Sequence, residues 1–269
     1  MSDAIKEYWE ERATRSRGEL TATTDDVYMR ELEIATIVAT LRKIGVAPGQ
    51  SAIDVGCGDG YSTAKVAEAL PELQIVGLDF SQQMISVARE RLAARPDLRG
   101  RLRFELGDVT DLNAACGLTQ HAIILTDRCL INLKSFEQQC QALTEIADHL
   151  KPGGHYVAVE NFVEGHENMN AARRSVGLPE IPIRWHNLYF KEEEFRGAVE
   201  KLFDQLTLKD FASSYYLATR IVYSKMCQMR GELPDYGHEI HQLAVNLPWV
   251  GQFSPIRMAV MRKKPSTRG

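Results

Sequence analysis

Long apolar runs are missing from these 269 residues. No stretch approaches the roughly 18 consecutive apolar residues that span a bilayer, and the opening Met1-Ser-Asp-Ala-Ile-Lys-Glu-Tyr8 lacks the apolar core of a signal peptide. A cytoplasmic location and no membrane partner are expected. Cysteine is sparse and scattered: Cys57, Cys116, Cys129, Cys140 and Cys227 never fall in C-x-x-C spacing, which points away from a disulfide framework or a zinc cluster. The one close histidine pair, His238 and His241, is a weak metal signal, and no metal is expected. Excess positive charge is absent as well. Lys+Arg 32 against Asp+Glu 36 leaves a net charge of -4, with no basic stripe to carry phosphate contacts, so no nucleic-acid partner is expected. The basic end, Arg262 to Gly269, reads as a solvated tail.

What the chain does have is 44% hydrophobic and 25% charged residues, the composition of an ordinary globular protein with one large domain. A short helix over Ala4–Ala13 and an amphipathic helix over Asp25–Ile44, stopped at Gly45, come first. Strands then alternate with helices: strands at Ser51–Val55, Leu73–Leu78, Leu102–Leu106, Ala122–Leu125, His155–Glu160, Leu206–Phe211 and Ile256–Met261, helices at Tyr61–Leu70, Ser81–Ala94, Ser135–Leu150 and Glu192–Phe203. This alternation predicts an α/β fold, a seven-stranded, mostly parallel sheet with helices on both faces; the fold is expected to be Rossmann-like, with its last strand antiparallel. Segments 161–191 and 213–255 break the alternation after strand ends, where doubly wound sheets bind ligands. They are expected to form a substrate cap on a domain spanning 46–269, with 1–45 as a helical lid.

The turn Asp54-Val-Gly56-Cys57-Gly58-Asp-Gly60 sits between a strand and a helix, where glycines let backbone approach a ligand. A dinucleotide fingerprint G-x-G-x-x-G counted from Gly56 would need glycine where this chain has Tyr61. Asp54 suits a ligand carrying an ammonium group better than a pyrophosphate. Asp79 ends the next strand, where a carboxylate accepts both hydroxyls of a ribose, and Asp108, followed by Val109, ends the third, in reach of an adenine amino group.

The motifs Asp54–Gly60, Val76-Gly-Leu-Asp79-Phe-Ser81, Gly107-Asp108 and Leu150-Lys-Pro-Gly-Gly154 resemble those of the class I S-adenosylmethionine-dependent methyltransferases, over about residues 45 to 161. The resemblance implies S-adenosyl-L-methionine as cofactor: Asp54, Gly56, Cys57, Gly58 and Gly60 at its methionine part, Asp79 at the ribose, and Asp108 at the adenine. Phe80 and Met84 are placed to cover the adenine, and Val109 adjoins it. Asp26–Ile34, Arg128–Leu133 and the later Arg174…Gly177…Trp185-His-Asn187 look like a narrower bacterial group from polysaccharide and natural-product pathways. The Asp/Asn-Pro-Pro-aromatic run of base-amine methylating enzymes is absent after the fourth strand, as is a Pro-Cys pair.

Methyl transfer is an in-line displacement, so alignment and exclusion of water carry most of the acceleration. The acceptor is expected to be a small molecule, a sugar or secondary metabolite, methylated on oxygen or nitrogen. His186 is the expected general base, with Glu160, Arg174, Trp185, Asn187 and Tyr189 as acceptor-binding residues, Arg174 holding a carboxylate or phosphate. Asp127 and Glu160-Asn161 resemble in position the oxygen ligands of metal-assisted catechol methyltransferases, although the surrounding motifs do not match. Tyr8, Trp9 and Tyr28 are placed to fold over the cofactor. A nicotinamide-dependent oxidoreductase and a non-catalytic cofactor-binding module are the competing readings, and the chain is expected to be a monomer or homodimer.

Overall fold

The alternation folds into one sheet in the computed structural model, which describes residues 3–17, 19, 21–117 and 119–264; the last five residues of the basic tail lie outside them. Seven strands run in the order β3-β2-β1-β4-β5-β7-β6: β1 (Ser51–Val55), β2 (Gln74–Asp79), β3 (Leu102–Leu106), β4 (His121–Asp127), β5 (Leu150–Asn161), β6 (Phe203–Asp210) and β7 (Ile256–Lys263). β1 to β5 pair in parallel, while β7 runs antiparallel between β5 and β6. The central strands are buried almost without interruption, because helices cover both faces of a parallel sheet. β6 lies at an edge, where only Phe203 is buried and the following positions alternate half-buried with exposed. A register shift between Asp204 and Thr207, with Gln205 at φ 56°, breaks its pattern. That bulge is why the alternation of sequence placed the strand three residues late.

The helices are α1 (Asp3–Arg15), α2 (Val27–Ile44), α3 (Tyr61–Ala69), α4 (Gln82–Ala93), α5 (Leu112–Cys116), α6 (Phe136–Asp148), α7 (Val163–Ser175) and α8 (Glu192–Val199). A cap follows β6: α9 (Ser213–Tyr216) runs through a π-helical turn, Leu217–Tyr223, into α10 (Ser224–Arg230), and α11 (Glu239–Ala244) packs beside it. α2 is not a detached lid element. Its apolar face, Met29, Ile34, Ile37, Val38 and Leu41, is buried in the core shared with α3 and β1, and Asp26 caps its first turn through the Met29 amide. α1 instead lies on α4, where both oxygens of Glu10 accept the Gln82 and Gln83 amides at 2.9 and 3.0 Å, a carboxylate on a helix N-terminus.

α7 begins immediately after β5 and shows how tightly the cap is joined to the sheet. A Cβ at Gly165 would stand 1.8 Å from the Ser254 carbonyl oxygen, so only glycine lets the helix meet the chain entering β7. Gly165→Ala is expected to cost about 3 kcal/mol, lowering the thermal midpoint by roughly 6–12 °C, measured by differential scanning calorimetry. An unchanged midpoint would mean that α7 is free to shift.

Candidate active site

The strand ends of β1, β2, β4 and β5 open onto a single large cleft, roofed by α1, the link before α2, the 181–189 segment and the π-helical turn. It holds about 1620 Å³ of empty space, its solvent mouth included.

The glycine loop forms one wall. Gly56 and Gly58 adopt φ of 77° and 54°, the left-handed region that glycine tolerates. Added Cβ atoms would strike Cys129 Sγ at 2.6 Å and Thr23 Cγ2 at 2.8 Å. The loop is tied to the next strand by the Gly56 and Cys57 amides, both donating to the Leu78 carbonyl. It is tied from behind by Asp59, fully buried between Arg30 (2.5 Å) and Arg91 (2.9 Å). Tyr61, the residue that departs from a dinucleotide fingerprint, lies under both guanidiniums, 4.6 and 5.3 Å from its ring centre.

Two buried carboxylates face the cleft from this wall. Asp79 accepts the Gly58 amide on one oxygen and the Ser81 amide on the other, each at 2.9 Å, which fixes loop and helix while leaving lone pairs for a ligand. Burial pushes its carboxyl up to about 6, against the lowering effect of those amides. Asp54 accepts the Thr63 hydroxyl at 2.5 Å, and burial pushes it up to about 7. Both therefore favour a ligand that presents hydroxyls or positive charge.

The far side is built by the 181–189 segment. The Leu188 amide donates to the Ile131 carbonyl and Gln139 donates to the Leu188 carbonyl, pinning the segment on the loop after β4. His186 is thereby held in an aromatic cage: Tyr8 stacks on it at 4.4 Å, and Trp9 and Trp185 meet it edge-on at 5.7 and 5.3 Å. It is 5% exposed and lines the cleft. Its Nδ1 has no hydrogen-bond partner among the described residues. Burial, with Arg184 and Arg12 nearby, lowers its pKa to about 4, so the ring is neutral at physiological pH.

Of the residues expected from sequence, Asp54, Gly56, Cys57, Gly58, Asp79, Phe80, Met84, His186, Asn187 and Tyr189 line this cleft. Gly60, Asp108, Val109, Tyr8, Tyr28, Glu160, Arg174 and Trp185 do not. Gly60 packs on Phe104 and Ala88, Val109 belongs to the core, and Asp108 accepts the Thr110 amide and hydroxyl in its own turn. Tyr28 faces the His241 ring, Tyr8 stands behind His186, and Trp185 is 67% exposed on the outside. Two acceptor assignments are corrected. Glu160 accepts the Cys129, Leu130 and Ile131 amides at 3.1–3.3 Å, so it braces the loop after β4 and has neither room for an acceptor nor a free oxygen for a metal. Arg174 is exposed and paired with Glu180.

The structure adds residues that sequence reading left out. Asp26, Arg30, Arg128, Asn132, Tyr216, Arg220 and Tyr236 line the cleft. Arg220 reaches it because the π-helical turn re-aims its side chain; it pairs with Asp26 and lies 4.8 Å from the Tyr236 ring. No sequence pattern marks a π turn, and a basic residue in an amphipathic helix reads as surface.

Residues 52–154 match the protein family described as methyltransferase domain. Among curated proteins, the chain is 29% identical over 117 residues to the magnesium-protoporphyrin O-methyltransferase of Rhodobacter capsulatus, covering 41% of this chain and 50% of that protein. It is 32% identical over 122 residues to the demethylmenaquinone methyltransferase of Shouchella clausii, covering 45% and 49%. The chain thus spans about half the length of these curated relatives. Among solved structures, magnesium protoporphyrin IX methyltransferase from Synechocystis PCC 6803, with bound SAH, superposes with a TM-score of 0.62 at 13% identity, over 97% of this chain and 99% of that one. The N-methyltransferase NodS from Bradyrhizobium japonicum WM9, also with SAH, gives 0.59 at 14% identity over 97% and 99%.

Proposed function

We propose that this chain, whose residues 52–154 are a methyltransferase domain on a class I fold, is an S-adenosylmethionine-dependent methyltransferase acting on the oxygen or nitrogen of a small-molecule acceptor. The observation that carries the reading is the wall made by Gly56, Gly58, Asp54 and Asp79. The loop's glycines pack against Cys129 and Thr23 at distances no Cβ would allow, and two buried carboxylates beside it face the cleft, both held above their ordinary pKa by burial. A ligand that brings ribose hydroxyls to one and positive charge to the other fits this donor set. When bound, the cofactor supplies an electrophilic methyl group on a sulfonium. The protein's own part is positional: the Gly58 amide and Asp79 fix the loop, Trp9 and the aromatic cage exclude water, and Glu10 holds α1 across α4. His186, which lines the cleft, is neutral and has a buried Nδ1 with no hydrogen-bond partner among the described residues, is the proposed group to take a proton from the acceptor. α1 and the link before α2 act as the lid in this reading, and segments 161–191 and 213–255 as the acceptor cap.

Calorimetric titration with S-adenosylmethionine, S-adenosylhomocysteine and NAD separates this reading from its rivals. The first two are expected to bind and NAD is not; binding of NAD alone would return the site to hydride chemistry. Because Asp54 and Asp79 bind the cofactor in their ionised forms, affinity reaches its plateau only about a unit above the Asp54 value, near pH 8, and is expected to fall as pH drops through 7 and 6, by roughly tenfold per unit for each carboxylate that protonates. Affinity independent of pH between 5 and 8 would remove both carboxylates from the site.

A further inference from the structure

Resting on the methyltransferase reading, the acceptor's charge can be inferred from what lines its half of the cleft. We infer that the acceptor is a cation of the amine class, held by Asp127 at the end of β4 and Asn161 at the end of β5. The carboxylate–arginine pairs carry this. Every arginine that lines the cleft already faces a carboxylate: Arg30 with Asp59, Arg128 with Glu33, Arg220 with Asp26, and Arg184, half-exposed at the mouth, with Asp25. No guanidinium in the lining is left over for an anionic acceptor. Asp127 is the odd acid. Arg128 is spent on Glu33 at 3.1 Å and stands 3.7 Å from Asp127 Oδ1, which is buried and makes no hydrogen bond among the described residues. Two carboxylates therefore share the Arg128 guanidinium, and Asp127 Oδ1 is left for a donor that a bound ammonium supplies.

A second, independent observation marks the same place. Asn161 is 5% exposed, lines the cleft, and its Oδ1 also has no hydrogen-bond partner among the described residues. A buried acceptor atom left open costs stability, and here two such atoms stand at the ends of neighbouring strands, where Asp127 pairs with Val159, two residues before Asn161. Both require donors, and an ammonium group supplies three. Glu33 and Asp127 are both shifted upward by burial, as expected of carboxylates short of a counter-charge. The wall around them, Met29, Ile131, Met169, Tyr216 and Tyr236, is apolar and aromatic, suited to the body of an arylalkyl amine and to its charge.

The test uses the full chain saturated with S-adenosylhomocysteine, titrated with phenethylamine, 2-phenylethanol and phenylacetate, near-isosteres that differ in charge. The amine is expected to bind at least tenfold more tightly than either of the others. Asp127→Asn is expected to remove that preference, and Asp127→Glu to restore part of it. An amine that binds no better than the alcohol or the carboxylate, or does not bind, overturns the inference. So does a folded Asp127→Asn protein with the preference intact. The wild-type series stands even where a variant fails to fold. Failure of S-adenosylhomocysteine itself to bind counts against the methyltransferase reading instead, so the two failures are told apart.

Discussion

Asp79→Ala is expected to weaken S-adenosylmethionine binding by at least about 100-fold, enough to remove it from a calorimetric titration. The substitution leaves the Gly58 and Ser81 amides without their acceptor inside the wall, and it removes the cleft-lining oxygens proposed to meet the ribose. An unsatisfied buried donor costs about 1–3 kcal/mol. The loop relaxes to recover part of that, and the relaxation moves Gly58 away from the position a ligand needs. Asp79→Asn separates the two contributions. Its amide keeps the volume but aims a donor at one of the two backbone donors, so it is expected to lose nearly as much affinity as alanine. Full binding by either variant would show that Asp79 only holds the turn.

The reach of sequence reading here follows from what each signal measures. Strand–helix alternation and the glycine turn are local patterns, and the sheet and its seven strands were legible from them. α7 was harder to read, because its buried face carries His166, Asn170 and Arg173 beside Met169. A helix whose inner face is polar has no hydrophobic stripe to detect. Those polar groups are satisfied by the cap itself: Asn170 exchanges hydrogen bonds with Ile181, and Arg173 donates to the Pro179 carbonyl. The placement of the candidate site residues divided in the same way. Asp54 and Asp79 are fixed by the strand they end, whereas Glu160 ends a strand equally well and turns into a brace because the next loop folds its amides onto it. Arg174 and Arg220 could not be told apart by residue type. One lies on a helix surface with Glu180 as neighbour, and the other is turned inward by an extra residue in its helical turn.

For His186 the decisive comparison is between two substitutions. His186→Ala is expected to lower turnover by about 100-fold, the lower end of what general-base removal costs, with cofactor affinity within about threefold of wild type. Among the described residues the imidazole meets α1 only through ring contacts, with Tyr8 at 4.4 Å as the closest. Alanine also empties the cage, so a loss of turnover alone does not distinguish a base from a spacer. His186→Phe does. Phenylalanine keeps an aromatic ring against Tyr8 and Trp9 but has no nitrogen at the position of Nδ1. If His186 takes the proton, the phenylalanine variant is as slow as alanine while its thermal midpoint stays close to wild type. If the ring merely closes the lid, phenylalanine recovers most of the rate. The pH profile adds a sign check: with a pKa of about 4, the neutral base is fully present above about pH 5. The wild-type rate at saturating cofactor should therefore show no acid limb from this group between pH 6 and 8. An acid limb near 6.5 that disappears in His186→Phe would mean that the ring sits in a wetter site than its cage implies.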